Sequence, residues 1–250
     1  HDVIRRQRQM CIRDSVIPDM STLGGAAVGV PGSISALYEI HHKFGSLPIE
    51  DLFKPAIDLA NNGFVVTQKQ SNSLTSKLED FVKINGQDTL YSKRYYEGDT
   101  IINKNFAETL SKISKFGQEV FYGGEIGEMI VNSINKSGGL LTLKDLQNYK
   151  SVWRDPVKFK YKDLEIISMS LPSSGGILLG QMLKVIENYD IKSFGYNSLK
   201  TIQLLVEAER RAYADRSHFM GDPDYMSLPV YELMDKNYVV DRMKNFSWDK

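Results

Sequence analysis

The apolar positions of this chain recur mostly three and four residues apart, the spacing of one face of a helix. Ile34, Leu37, Tyr38 and His41 share such a face, and Gly45 ends it. Ser46-Leu47-Pro48 opens a second helix, with Glu50 and Asp51 where the helix dipole favours acids. Leu52, Ile57, Leu59 and Ala60 form its apolar side, and Asn61-Asn62-Gly63 stops it. A third helix is predicted from about Thr67 to Leu78, and others over 105–116 and 124–136, the last ended by Gly138-Gly139. Thr142 followed by Asp145 has the spacing of a capping box for a short helix over 143–148. Residues 85–103 are polar and turn-rich, with Tyr91, Tyr95 and Tyr96 interleaved, and read as a surface connection with short extended pieces.

Three stretches break the helical period. Gly24–Val30 is small, apolar and uncharged, and predicts a buried strand running into a turn at Pro31-Gly32. From Trp153 the texture changes. Val157, Phe159 and Tyr161 alternate with lysines, as in a half-buried strand, and Leu164–Met169 follows as its partner across a tight turn at Lys162-Asp163. Leu171-Pro172-Ser173-Ser174-Gly175-Gly176 then leads to an apolar helix over 177–187 and a long helix over 198–218. The turn Gly221-Asp222-Pro223-Asp224 and one more short helix complete the chain. Without repeats or low-complexity linkers, this suits one mainly helical α+β or layered α/β domain.

Composition narrows the function classes. The 250 residues are 42% hydrophobic, enough for a sizeable core, and the formal net charge is zero. No basic excess exists to hold a phosphate backbone, so nucleic acid is not expected as a partner. No apolar run is long enough to span a bilayer. The single cysteine, Cys11, excludes an internal disulfide and the usual thiolate metal site. Four of the ten arginines (Arg5, Arg6, Arg8, Arg13) crowd the first thirteen residues beside Cys11, while lysine dominates elsewhere. Residues 1–15 are therefore read as non-native or disordered and set apart from the fold.

Four constellations invite a chemical reading, and each has a plainer one. Gly24–Gly32 lacks the spacing of a phosphate-binding loop and reads as close backbone packing. Ser173, Ser174, Gly175 and Gly176 lie between a strand and a helix. They offer hydroxyls and backbone N–H groups to an anion, or else a helix cap with a close-approach glycine pair. They do not form a nucleophile elbow. Glu207, Arg211 and Asp215 stand four apart on one helix and read as ion pairs along its face. His41, His42 and His218 have no acidic cluster at metal-ligand spacing, and Asp222/Asp224 lack the rest of a calcium loop, so neither metal nor cofactor is expected. These readings alone stop at a mainly helical α/β piece with no visible active site.

Four blocks, in order, resemble the γ-glutamyltranspeptidase family. They are VGVPGSISALYEIHHKFGSLPIEDLFKPAIDLANNGFVV, FYGGEIGEMIVNSINKSGGLLTLKDLQNYK, LPSSGGILLGQMLKVIENYDIKSFGYNS and EAERRAYADRSHFMGDPDY. The resemblance covers roughly residues 22–240. It implies a partial αββα sandwich of the N-terminal-nucleophile hydrolase type, with 16–250 as part of the large-subunit region, truncated at both ends. It further implies a proenzyme that cleaves itself and a partner small subunit from the same proenzyme. The expected substrates are glutathione or other γ-glutamyl compounds, with water, amino acids or peptides as acceptors and an N-terminal threonine as nucleophile. A periplasmic or secreted location follows from the family. That threonine is expected beyond Lys250; Thr142 and Thr201 do not match its context, and Arg13 does not match that of the family's substrate-binding arginine. No catalytic residue is therefore assigned here. The Ser173–Gly176 turn carries over as a substrate-pocket candidate near the core below the active site. The alternatives are a cephalosporin or glutaryl acylase of the same superfamily and a non-catalytic protein that kept the fold.

Overall fold

The computed structural model describes Met20 and residues 22–249. The arginine-rich stretch and Cys11 lie outside the described residues. The chain divides into two compact units at Val152/Trp153, where the sequence texture changes.

The first described element of unit 1 is a single 3₁₀ turn, Gly25–Ala27, followed by extended chain that pairs with no strand among the described residues. The expected buried strand over Gly24–Val30 is thus corrected: only Gly25 of that stretch is buried. A side chain at Gly25 would collide with Ile134 O and Gly139 N, so absence of bulk here serves a close approach and not a sheet. Helix α1 (Ser33–Phe44) and helix α2 (Ile49–Asn62) follow. Strand β1 (Phe64–Val65) then precedes helix α3 (Gln68–Ser76) and helix α4 (Leu78–Asn85). The helix expected over about 67–78 is α3, which ends at Ser76, and α4 is a further helix that the sequence reading did not foresee. Thr67 caps the first with a capping box to Gln70. Strand β2 (Thr100–Ile101) emerges from the polar 85–103 stretch and pairs antiparallel with β1. Val66, Tyr95 and Ile101 bury themselves beneath that pair.

Helix α5 (Lys104–Phe116), helix α6 (Glu119–Tyr122) and helix α7 (Glu125–Lys136) supply the centre of unit 1. Phe53 of α2, Leu110 and Ile113 of α5 and Ile126 of α7 meet in one cluster, against which Tyr38 of α1 packs. The Tyr38 hydroxyl donates to Ile113 O at 2.6 Å, tying α1 to α5. Helix α8 (Leu143–Gln147) carries the expected capping box between Thr142 and Asp145. Its Leu146, 0% exposed, seats in a second cluster with Tyr122, Ile134 and Leu141. A chain of hydroxyls runs under this region. Tyr122 OH donates to Pro31 O at 2.8 Å and accepts from the Ser35 N–H at 3.1 Å. The Ser35 hydroxyl lies 3.2 Å from that of Ser151.

Unit 2 opens with strand β3 (Val157–Tyr161) and strand β4 (Leu164–Ser168), paired antiparallel with Tyr161 opposite Leu164. This is the expected two-residue hairpin, with Lys162 at φ 54°. Helix α9 (Gly175–Ile186) follows; it starts two residues earlier than expected. Helix α10 (Ile191–Phe194) was not foreseen. Helix α11 (Leu199–Phe219) is the long helix, with 21 residues, and Ser198 caps it through the Thr201 N–H. Helix α12 (Val230–Leu233) and helix α13 (Lys236–Arg242) end the described elements. Val157, Phe159, Leu171, Ile177, Leu233 and Met234 make one core cluster, and Val185, Leu204, Ala208 and Val239 another. Among the described residues both units are mainly helical, each with one short antiparallel strand pair.

Candidate functional site

The candidate turn is built where β4 hands over to α9. Leu171 is buried in the unit 2 core, and the Leu171–Pro172 peptide bond is cis. The Ser173 N–H closes the turn onto Ser170 O at 3.1 Å. Ser174 stands at the N-cap, yet its hydroxyl caps no backbone N–H. The helix-cap reading therefore holds for its position and fails for its side chain. That hydroxyl instead accepts from Arg216 Nε at 2.9 Å. Ser173 Oγ accepts weakly from the Gly175 N–H at 3.4 Å.

The two glycines differ in kind. A Cβ on Gly175 would meet only Ser173 Oγ, at 3.6 Å. A Cβ on Gly176 would stand closer than 3.0 Å to Met169 O, with Ser168 Cβ at 3.2 Å and Met169 C at 3.3 Å. Gly176 is the close-approach glycine, and it lets α9 start directly against the end of β4. Of the four candidates, Gly176 is buried, Gly175 is exposed, and the two serines are half-buried.

Behind the turn, α9, α11 and α13 are joined by an ionic network. Asp215, 3% exposed, accepts from Gln181 Nε2 at 2.8 Å and pairs with Arg242 Nη2 at 2.9 Å. Tyr238 also bonds Asp215, and burial first, then that carboxylate, raises its phenol above the ordinary value. Arg211 was expected to pair with both Glu207 and Asp215. It pairs with Glu207 but turns its Nε to Arg242 O at 2.7 Å, because Arg242 of α13 already occupies Asp215. The arginines beside Glu207, Arg210 first and then Arg211, hold its carboxyl down at about 2. Gln181 Oε1 and Arg242 Nε are buried and have no hydrogen-bond partner among the described residues. The helix face expected to carry ion pairs is thus half interior. The spacing rule found Glu207–Arg211, but nothing in the sequence pointed to Gln181, Tyr238 or Arg242 as neighbours of Asp215.

The chemistry this arrangement offers is limited. Ser174 faces a guanidinium, which stays protonated and cannot serve as a base, so no serine nucleophile is activated. His41 has its Nε2 2.8 Å from Leu47 O, on α1 of the other unit. Asp224 is held by Arg154 at 2.6 Å, which pulls its carboxyl below the usual range, and its N–H bonds Asp222 Oδ1 at 3.0 Å. The aspartates of that turn are engaged by protein groups. Among the described residues no His, Cys, Asp or Glu cluster has the form of a metal site, and no helix is long and apolar enough to cross a membrane. Thr142 and Thr201 serve at helix starts: Thr142 forms its capping box, and Thr201 Oγ1 donates to Gly195 O at 2.9 Å.

Comparison with known proteins places this framework in a family. The chain is 36% identical over 237 residues to the glutathione hydrolase proenzyme of Escherichia coli K12, covering 92% of this chain and 41% of that protein. It is 35% identical over 244 residues to the acylase ACY 1 proenzyme of Pseudomonas sp. strain V22, covering 96% of this chain and 43% of that protein. The crystal structure of Helicobacter pylori γ-glutamyltranspeptidase superposes with a TM-score of 0.90 at 38% identity, covering 95% of this chain and 69% of that one. The chain therefore spans about two-fifths of the length of the curated relatives it matches. The γ-glutamyltranspeptidase family model matches residues 7–250, and the chain belongs to that family.

Proposed function

We propose that the protein to which this chain belongs cleaves γ-glutamyl amides such as glutathione, and that residues 16–250 form part of its large-subunit region. The carrying observation is the family match over residues 7–250, together with the identity to a glutathione hydrolase proenzyme. In this reading a processed small subunit supplies an N-terminal threonine. Its hydroxyl oxygen attacks the γ-glutamyl carbonyl while the α-amino group takes the proton. Backbone N–H groups hold the developing oxyanion, and the amine leaves with a proton. Water, an amino acid or a peptide then takes the acyl group and frees the hydroxyl. The present chain contributes scaffold: the Ser173–Gly176 turn, fixed by Arg216, lies beneath the substrate pocket. Export to the periplasm or the exterior accompanies this reading.

The test is turnover of a γ-glutamyl chromogenic amide by the 250 residues alone and by the parent protein. Activity is expected only from the parent, and turnover by the purified chain alone refutes the division of labour. The identity to acylase ACY 1 favours a second reading, in which the acyl group is glutaryl. A glutaryl amide of the same chromophore separates the two, because it lacks the α-amino group of glutamate.

A further inference from the structure

Unit 1 contains a polar cleft that plays no part in the scheme above. It measures about 450 Å³, within the range of small-molecule sites. Its floor is rigid. Tyr122 stacks on Tyr149 at 5.8 Å and 11° and is pinned by the Pro31 and Ser35 backbone, and Ser35 is itself buried. Its walls carry Glu39 of α1, which is already engaged by another group, together with Gln118 and Glu119 from the start of α6, Gln147 from the end of α8, and Lys150.

Gln118, Glu119, Gln147 and Lys150 have no side-chain hydrogen bond or ion pair to the protein among the described residues. Lys150 and Glu119 line one cleft with opposite charge and do not close on each other. An anion alone would leave Glu119 without a counter-charge, and a cation alone would leave Lys150 without one. A ligand with both charges satisfies each, and the two carboxamides can donate to its carboxylate and accept from its ammonium. We propose that this cleft binds a small zwitterion of amino-acid size, its ammonium toward Glu119 and its carboxylate toward Lys150. The inference rests on unit 1 alone and is independent of the acyl-transfer reading.

The test uses the 250-residue chain and L-alanine, followed by NMR through the ring signals of Tyr122 and Tyr149. Saturable shifts are expected with L-alanine. N-acetyl-L-alanine, without the ammonium, and L-alaninamide, without the carboxylate, are each expected to bind about tenfold or more weakly, since a charge-assisted bond is lost. Glu119→Gln and Lys150→Met should weaken L-alanine to a similar degree. Both side chains are exposed, so the variants should keep the parent melting midpoint. No saturable shift, equal binding of the capped derivatives, or full affinity in both variants overturns the proposal. The capped-ligand comparison uses the unmodified chain and decides the matter even if a variant fails to fold.

Discussion

Replacing Gly176 by alanine tests the physical reading of the Ser/Gly turn directly. The new Cβ would lie closer than 3.0 Å to Met169 O and within 3.3 Å of Met169 C, both backbone atoms that cannot rotate away. Either α9 lifts from the end of β4 or the strand end shifts, and both loosen Ile177 and Leu171 in the shared core cluster. Alanine improves helix propensity over glycine by at most about 1 kcal/mol, and less near an N-terminus. Overpacking against an immobile neighbour costs about 1–3 kcal/mol, occasionally more, so the net sign is destabilising. Gly175 is the internal control. Its added Cβ meets only Ser173 Oγ, at an ordinary 3.6 Å, and its φ is not positive, so Gly175→Ala should be neutral or stabilising by up to about 1 kcal/mol. Urea titration followed by far-UV circular dichroism measures both midpoints. If Gly176→Ala matches the parent, or if the two substitutions respond alike, the close-approach explanation is wrong.

Other outcomes follow from the same geometry. Asp215→Ala strands Arg242 and Gln181 and should cost toward the low end of the about 3–5 kcal/mol for a broken buried pair, because Arg242 is partly hydrated; thermal melting measures it. Glu207 has its carboxyl lowered from 4.5 to about 2, so its contribution to stability is full above about 4.5 and is lost as pH falls toward 2. Glu207→Gln should flatten that acid limb, and an unchanged pH profile of the urea midpoint would contradict the assignment. Leu146→Ala, at a fully buried position in unit 1, should cost about 2–5 kcal/mol in the same titration.

Much of the helical framework was legible because helix starts and stops are local events. The Thr142/Asp145 box, the glycine stop at Gly45 and the acidic first turn of α2 each depend on residues a few positions apart. The β3–β4 hairpin was legible for the same reason, since alternation and a two-residue turn lie in one short stretch. For Gly24–Val30 the close-packing reading holds at Gly25 and the buried-strand reading fails, because small apolar residues suit a strand and a close backbone crossing equally well. Gly25 meets Ile134 and Gly139, more than a hundred residues away, and no local pattern encodes that encounter. The β1–β2 pair was missed because two-residue strands carry no period.

For the candidate site, the sequence by itself determined the residue types and their order: two hydroxyls, two glycines and an apolar helix after a strand. It also carried the family, which the match over residues 7–250 and the 36% identity to a glutathione hydrolase proenzyme bear out. Only the tertiary structure decided that Gly176 and not Gly175 is the packing glycine. Only there does Ser174 face Arg216, and Asp215 belong to Arg242 and not to Arg211. The same holds for the charges of Glu119 and Lys150, 31 positions apart in the sequence, which share one cleft because α6 and α8 bring them together. The reason is common to all these cases: periodicity and caps are set by neighbours along the chain, whereas a side chain's partner is set by which helices stack.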